Sequence, residues 1–234
     1  MERFARTKLL VGAKGLDSLA HAGVIVIGLG GVGSYTAEAL IRSGIGRLRL
    51  IDGDVIEVSN INRQLHALNS SVGKAKVEVL AQRFREINPA AVVEAEAKFY
   101  APDKGELLSG GFDWVVDAVD VVSIKADILS RCWLQKQPVI SSMGTGNRLD
   151  ASLLRLTDIS ETYNCPLARA VRRELRRRGI GGGIPAVWSP EQLRIPPAKP
   201  IAGSRPVPGS IAYVPSTAGL LIASYVVNKI LQGK

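Results

Sequence analysis

Two rhythms of apolar residues divide this chain. Val24-Ile25-Val26-Ile27 is an unbroken β-branched run, the pattern of a strand buried on both faces. From 34 to 43 the apolar residues fall at helical spacing until Gly44 and Gly46 stop them, and 48–51 returns to a strand pattern. A helical pattern resumes after Gly73 and runs to about residue 87, where Asn88-Pro89 closes it. Strand patterns follow at 92–99, 112–119 and 138–142, with a helix over 121–134 before the last. Strands alternating with helices predict an α/β fold, a Rossmann-like, mostly parallel sheet with helices on both faces. Beyond residue 150 the rhythm loosens. Strand patterns at 153–156, 184–189 and 211–214 are short and open to antiparallel pairing. Cys165-Pro166 opens a helix to Arg178, and Pro215-Ser216 starts a terminal helix. A Pro-rich stretch over 190–208 reads as a loop crossing the surface. Residues 1–20 form a short helical arm. The whole of 1–234 is expected to be one domain, with a basic helix and the crossing loop at about 165–208.

The candidate chemistry sits where the first strand meets the first helix. Gly28-x-Gly30-Gly31-x-Gly33 separates them, followed by Ser34. A strand, a glycine turn and a helix in that order aim backbone N–H groups and a helix N-terminus at an anion. Gly28 permits the tight turn, Gly30 and Gly31 let phosphate approach, and Gly33 lets helix pack on strand. Asp52 closes the second strand about 20 positions beyond the glycine turn, where an acid takes a ribose hydroxyl pair. Asp54 lies two residues later. Ser59-Asn60-Ile61-Asn62-Arg63-Gln64 has loop composition, but two amides, an arginine and a glutamine beside a nucleotide crevice suit phosphate contact. Lys76, in the first turn of its helix, opposes the helix dipole, which points to an anionic ligand instead. Asp117 and Asp120 stand at the carboxyl edge, where such sheets bind ligands. The bland role for Asp120 is to cap the helix over 121–134.

Composition adds a partner. The chain has 234 residues, 46% hydrophobic and 22% charged, as in an ordinary soluble domain, but its net charge of +9 favours polyanions. Arg169, Arg172, Arg173, Arg176 and Arg177 recur at i, i+3, i+4, i+7 and i+8, one helix face, with Leu167, Val171 and Leu175 on the other. Only Glu174 opposes them. Aligned guanidiniums repel one another unless an anionic surface lies opposite, so nucleic acid is the expected partner of this stripe. The two cysteines, Cys132 and Cys165, exclude a disulfide framework and a four-thiolate zinc site. With no apolar signal core after Met1, they point to the reducing cytoplasm. Cys165, at a helix start, is either a lowered-pKa thiol or simply packed. The apolar run at 218–227 is too short for a bilayer and reads as a buried or docking helix.

Taken together, R-F-A-R near the start, G-x-G-G-x-G-S, I-D-x-D, S-N-I-N-R-Q, V-G-K-x-K and D-x-x-D resemble the ThiF/ubiquitin-activating-enzyme-like adenylyltransferase superfamily. That resemblance implies magnesium-dependent attack of a carboxylate on the α-phosphate of ATP. It places Gly28, Gly30, Gly31, Gly33 and Asp52 on the adenosine and phosphates, and Asn60, Arg63, Gln64 and Lys76 on the triphosphate. It assigns Asp120 to Mg2+, and it gives Arg6 the role of reaching a neighbouring subunit's ATP, hence a homodimer. The opening E-R-F-A-R-T-K-L-L-V-G, residues 142–148, D-I-S-E-T, C-P-L-A-R with its basic helix, and V-P-G-S-I resemble the tRNA threonylcarbamoyladenosine dehydratase branch. This branch implies ATP-driven cyclisation of the threonylcarbamoyl side chain on tRNA. The alternative is adenylation of a ubiquitin-like sulfur carrier, whose activating enzymes commonly bear two C-x-x-C zinc pairs that this chain lacks, so no zinc is expected. Some branch members carry a cysteine just before the strand that here covers 184–189. Its absence leaves any sulfur-transfer partner protein unresolved.

Overall fold

In a computed structural model, which describes residues 2–194 and 208–233, the β-branched run becomes the central strand. β1 (Gly23–Ile27) is buried along its whole length. Val24 and Val26 join one hydrophobic cluster and Ile25 and Ile27 the other, because successive side chains point to opposite faces of a sheet. The other strands are β2 (Arg47–Ile51), β3 (Val92–Glu96), β4 (Trp114–Asp117), β5 (Val139–Ser142), β6 (Arg155–Asp158) and β7 (Pro185–Trp188). They form one sheet in the order β3-β2-β1-β4-β5-β7-β6. Every pairing is parallel except β6 with β7, as the looser second half suggested.

The helices are α1 (Ala5–His21), α2 (Gly33–Ser43), α3 (Lys76–Ile87), α4 (Val122–Leu134), α5 (Pro166–Arg177) and α6 (Tyr213–Leu231). Leu40, Phe84 and Ile222 of α2, α3 and α6 cover one face of the sheet, and Leu129 and Leu175 of α4 and α5 cover the other. From β1 the chain runs outward through β2 and β3, then returns to β4 on the other side of β1. The crevice between the β1 and β4 loops is therefore the topological switch point, where open sheets of this kind hold ligands.

Several boundaries differ from the sequence reading. Residues 211–214 are not a strand: α6 starts at Tyr213, with Pro215 in its first turn, where a missing N–H costs nothing. The strand expected at 153–156 lies two residues later, at Arg155–Asp158. The one expected at 92–99 ends at Glu96. The arm is one helix by hydrogen bonding but breaks at Gly12, whose φ of 75° takes it out of the helical region. The apolar run at 218–227 belongs to a 19-residue helix, α6, which meets the bare length and hydropathy criteria for a membrane span. Its buried face packs on α2. A Cβ at Gly219 would lie 2.4 Å from the Val32 carbonyl oxygen, and the Thr36 hydroxyl donates to the Gly219 carbonyl at 3.1 Å. The crossing loop expected at 190–208 falls largely at 195–207, outside the described residues, as does Val207 of V-P-G-S-I.

Candidate functional site

The glycine turn leaves β1 with the sheet still holding it. The Gly28 N–H donates to the Ile51 carbonyl at 2.9 Å, and the Ala118 N–H donates to the Ile27 carbonyl at 2.9 Å. Gly28 has a φ of 83°, and a Cβ there would sit 2.8 Å from the Ala118 carbonyl oxygen, so the turn needs glycine on both counts. A Cβ at Gly33 would fall 1.8 Å from the Gly28 carbonyl, which explains how α2 comes so close to its own strand. Gly30 faces open space, its nearest neighbour being the Gln64 amide nitrogen at 4.0 Å. Gly31 differs from expectation: a Cβ there would meet Pro215 at 3.1 Å. Its small size therefore serves packing against α6, and the approach expected for phosphate is at Gly30.

The polar side chains around the turn divide into those already committed and those free. Ser34 is buried and donates to the Gly30 carbonyl at 2.7 Å, so its hydroxyl braces the turn from behind. Asp52 accepts the Leu29 N–H at 2.6 Å on one carboxylate oxygen and the Asp54 N–H at 2.8 Å on the other. It thereby fixes the turn against β2 while each oxygen keeps a lone pair for a ligand. Lys76 is 6% exposed and pairs with Asp54, itself 52% exposed, at 2.7 Å. The anion that Lys76 meets in this structure is Asp54. Asn60 is buried and closes a capping box with Glu57, while the Arg63 guanidinium lies part-exposed over the Ser59 carbonyl at 2.8 Å. Gln64 is buried, with its Oε1 unpartnered among the described residues. The Asn62 amide ties this loop to the Ser210 carbonyl ahead of α6 at 3.0 Å.

Asp120 is exposed just past β4, with no hydrogen bond or ion pair among the described residues. The capping role is not the one it takes, since α4 is capped at Val121 without any side-chain bond. Asp117 is fully buried and structural. The Lys125 ammonium, 0% exposed, donates to it at 2.6 Å, to the Ser141 hydroxyl at 3.0 Å and to the Ser142 carbonyl at 2.8 Å. Asp117 also accepts the Val119 N–H at 3.2 Å. The turn that carries Asp120 is thus pinned to the ends of β4 and β5. Sequence reasoning missed Lys125; its only signal is a lone lysine amid an otherwise apolar helix face.

The arginine stripe lies along α5. Of the expected apolar face, Val171 and Leu175 are buried and Leu167 is part-buried, with Ala168 buried beside them. Arg169, Arg173, Arg176 and Arg177 are exposed. Arg172 departs from the expectation of a uniform stripe: it is half-buried and donates to the Thr162 carbonyl at 2.7 Å and to the Thr162 hydroxyl. Burial, then the nearby Arg176 charge, pulls its pKa below the usual guanidinium value. Glu174 pairs with Arg177 at 2.8 Å and lies 3.8 Å from Arg173. Pro166, Ala170 and the five arginines line a hollow of about 630 Å³. Cys165 is buried and its thiol accepts the Ala168 N–H at 3.5 Å, so it packs and caps. A Cβ at Gly144 would lie 3.7 Å from the Cys165 Sγ, so the start of α5 sits beside the loop leaving β5. Arg6 is exposed on α1, away from these groups in sequence and bonded to none of them among the described residues.

The model of the ThiF family matches residues 4–234. The tRNA threonylcarbamoyladenosine dehydratase of Bacillus subtilis is 39% identical over 99% of this chain and 96% of that protein. The crystal structure of E. coli tRNA N6-threonylcarbamoyladenosine dehydratase in complex with AMP superposes with a TM-score of 0.92 at 38% identity, covering 99% of this chain and 95% of that one. Its complex with ATP gives 0.91 at 36% identity, with the same coverage.

Proposed function

The chain belongs to the ThiF family, and from that premise we propose that it is an ATP-dependent tRNA threonylcarbamoyladenosine dehydratase. The substrate's own carboxylate attacks the α-phosphate of ATP, and pyrophosphate leaves. The neighbouring carbamoyl group then attacks the resulting acyl-adenylate, AMP leaves, and the nucleoside has lost one water. No enzyme nucleophile is needed, because both reacting groups sit on one side chain and proximity drives ring closure.

The chain's residues supply binding and charge. The open side of Gly30 and the N-terminus of α2 receive phosphate. Asp52 takes the ribose, while Arg63 and Lys76, with Asn60 and Gln64, offset charge that develops on the phosphates. Asp120 is the residue for Mg2+. Among the described residues there is no group of three or more His, Cys, Asp or Glu to cage a metal, and a single free carboxylate fits an ion held mainly by phosphate oxygens and water. Bound there, magnesium would polarise the α-phosphate and neutralise the departing pyrophosphate. Arg169, Arg173, Arg176 and Arg177 form the tRNA-facing surface, with the part-buried Arg172 behind them. Arg6 reaches a second subunit's nucleotide in a homodimer, and the protein works in the cytoplasm.

The observation that carries this reading is the uncommitted Asp120 carboxylate beside a glycine turn with open space at Gly30. Incubation with ATP, magnesium and tRNA bearing the threonylcarbamoyl mark should lower the mass of that nucleoside by one water. An unchanged mass refutes the assignment.

A further inference from the structure

Arg148, in the loop that leaves β5, is an anomaly. It is 3% exposed. Its Nη2 donates to the Asn164 carbonyl at 3.2 Å, but its Nε and Nη1 are buried with no hydrogen-bond partner among the described residues. No carboxylate among the described residues lies within ion-pair distance of it, and no aromatic ring stacks on it. The two carboxylates nearest in sequence or loop are committed elsewhere. Glu191 accepts the Leu149 and Asp150 N–H groups and pairs with Arg194 at 2.9 Å, and Asp150 caps Ser152. A buried guanidinium with two idle donor nitrogens is a receptor for an anion, because burial without a partner opposes the folded state.

Its position says which anion. Along the carboxyl edge the loops follow the sheet order: Asp52 and Asp54 after β2, the glycine turn after β1, Asp120 after β4, then residues 143–150 after β5. The loop leaving β5 starts one strand spacing, about 4.8 Å, from the loop that bears Asp120. The Lys125 ammonium bonds groups on both strands and holds the two loops in register. On the dehydratase reading the nucleotide occupies the β2 and β1 side, which leaves the β5 side to the acid to be activated. Gly144, Thr145 and Gly146, which lead to Arg148, are part-exposed, and two of them have no side chain to obstruct approach.

Building on the dehydratase reading, we propose that Arg148 is the receptor for the carboxylate of the threonylcarbamoyl side chain, orienting it for adenylation. The probes are anticodon stem-loops bearing the mark as the free acid or as its methyl ester. Wild-type protein should bind the acid at least tenfold more tightly than the ester. Arg148→Met should abolish that preference and Arg148→Lys retain part of it, with ATP affinity within twofold in both. A structural ion-pair residue would lower the melting temperature when replaced. Arg148→Met should instead leave it unchanged or raise it, since it removes an uncompensated charge. An acid preference that persists in Arg148→Met, in a wild-type background that converts marked tRNA, overturns the Arg148 assignment alone. A melting temperature that falls in Arg148→Met alongside an intact preference does the same. Wild-type protein that leaves marked tRNA unchanged overturns the reading beneath it.

Discussion

His66 is one of two histidines and it is 2% exposed, with both ring nitrogens lacking a partner among the described residues. Burial first, and then the Lys76 charge, lower its pKa from 6.5 to about 4. The folded protein therefore holds this imidazole neutral at pH values where the unfolded chain protonates it. Between about pH 6.5 and 4 the unfolded state binds more protons, so stability is full above pH 6.5 and declines as pH falls through that window. At about 1.4 kcal/mol per pH unit, the loss reaches about 2 kcal/mol by pH 5 and about 3 kcal/mol once pH is below 4. His66→Phe keeps a ring in the site and removes the titration. Urea midpoints for both proteins from pH 8 to pH 5 should diverge, with wild type losing about 2 kcal/mol more than the variant over that range. The other titratable groups are common to both proteins and cancel in the difference. By NMR, the His66 ring should stay neutral to pH 5. Parallel pH profiles for the two proteins, or a His66 ring that titrates near 6.5, refute the argument.

Lys125→Met should cost about 3–5 kcal/mol by urea unfolding, because it strands a buried Asp117 carboxylate, and adding Asp117→Asn should recover part of that loss. Asp120→Asn should abolish turnover of marked tRNA in the nucleoside mass assay yet leave stability within about 0.5 kcal/mol, since the side chain is exposed and unbonded. Replacing Arg169, Arg173 and Arg176 together by Gln should weaken tRNA binding and flatten the logarithmic salt dependence of affinity by about 2 units, measured by filter binding from low to moderate salt.

The glycine turn, β1 and the parallel character of the early strands were legible because the signals that specify them are local. A β-branched run, a glycine spacing and helical periodicity each act within about a dozen residues. Residues 211–214 were misread for the complementary reason. Ile-Ala-Tyr-Val is a strand by pattern, and only packing of the following residues on α2, with Pro215 tolerated in a first turn, makes it enter a helix. That Pro215 packs beside Gly31 was not legible either, because a glycine's neighbours cannot be read from its spacing; Pro215 lies 184 positions along the chain. The same limit hid His66, Lys125 and Arg148. A single polar residue in a sequence carries no mark of being buried, and what gives each its meaning is the absence or presence of partners from distant segments.

Those partners grade the three buried cations of the carboxyl edge. Lys125 is fully enclosed with a carboxylate, a hydroxyl and a carbonyl, which leaves it nothing to offer a ligand. Lys76 shares a carboxylate that is itself half in water, so an incoming phosphate can compete for it. Arg148 has one carbonyl and two idle nitrogens. A site for anionic substrates must keep some of its positive charge uncommitted, since a cation already neutralised gains little from a second anion. The satisfied cation holds the loops in register; under the proposed function the shared one is left for the nucleotide and the unsatisfied one for the acid. Folding tolerates the third because the first two loops are tied independently of it, through Asp52 to the glycine turn and through Asp117 to the end of β5.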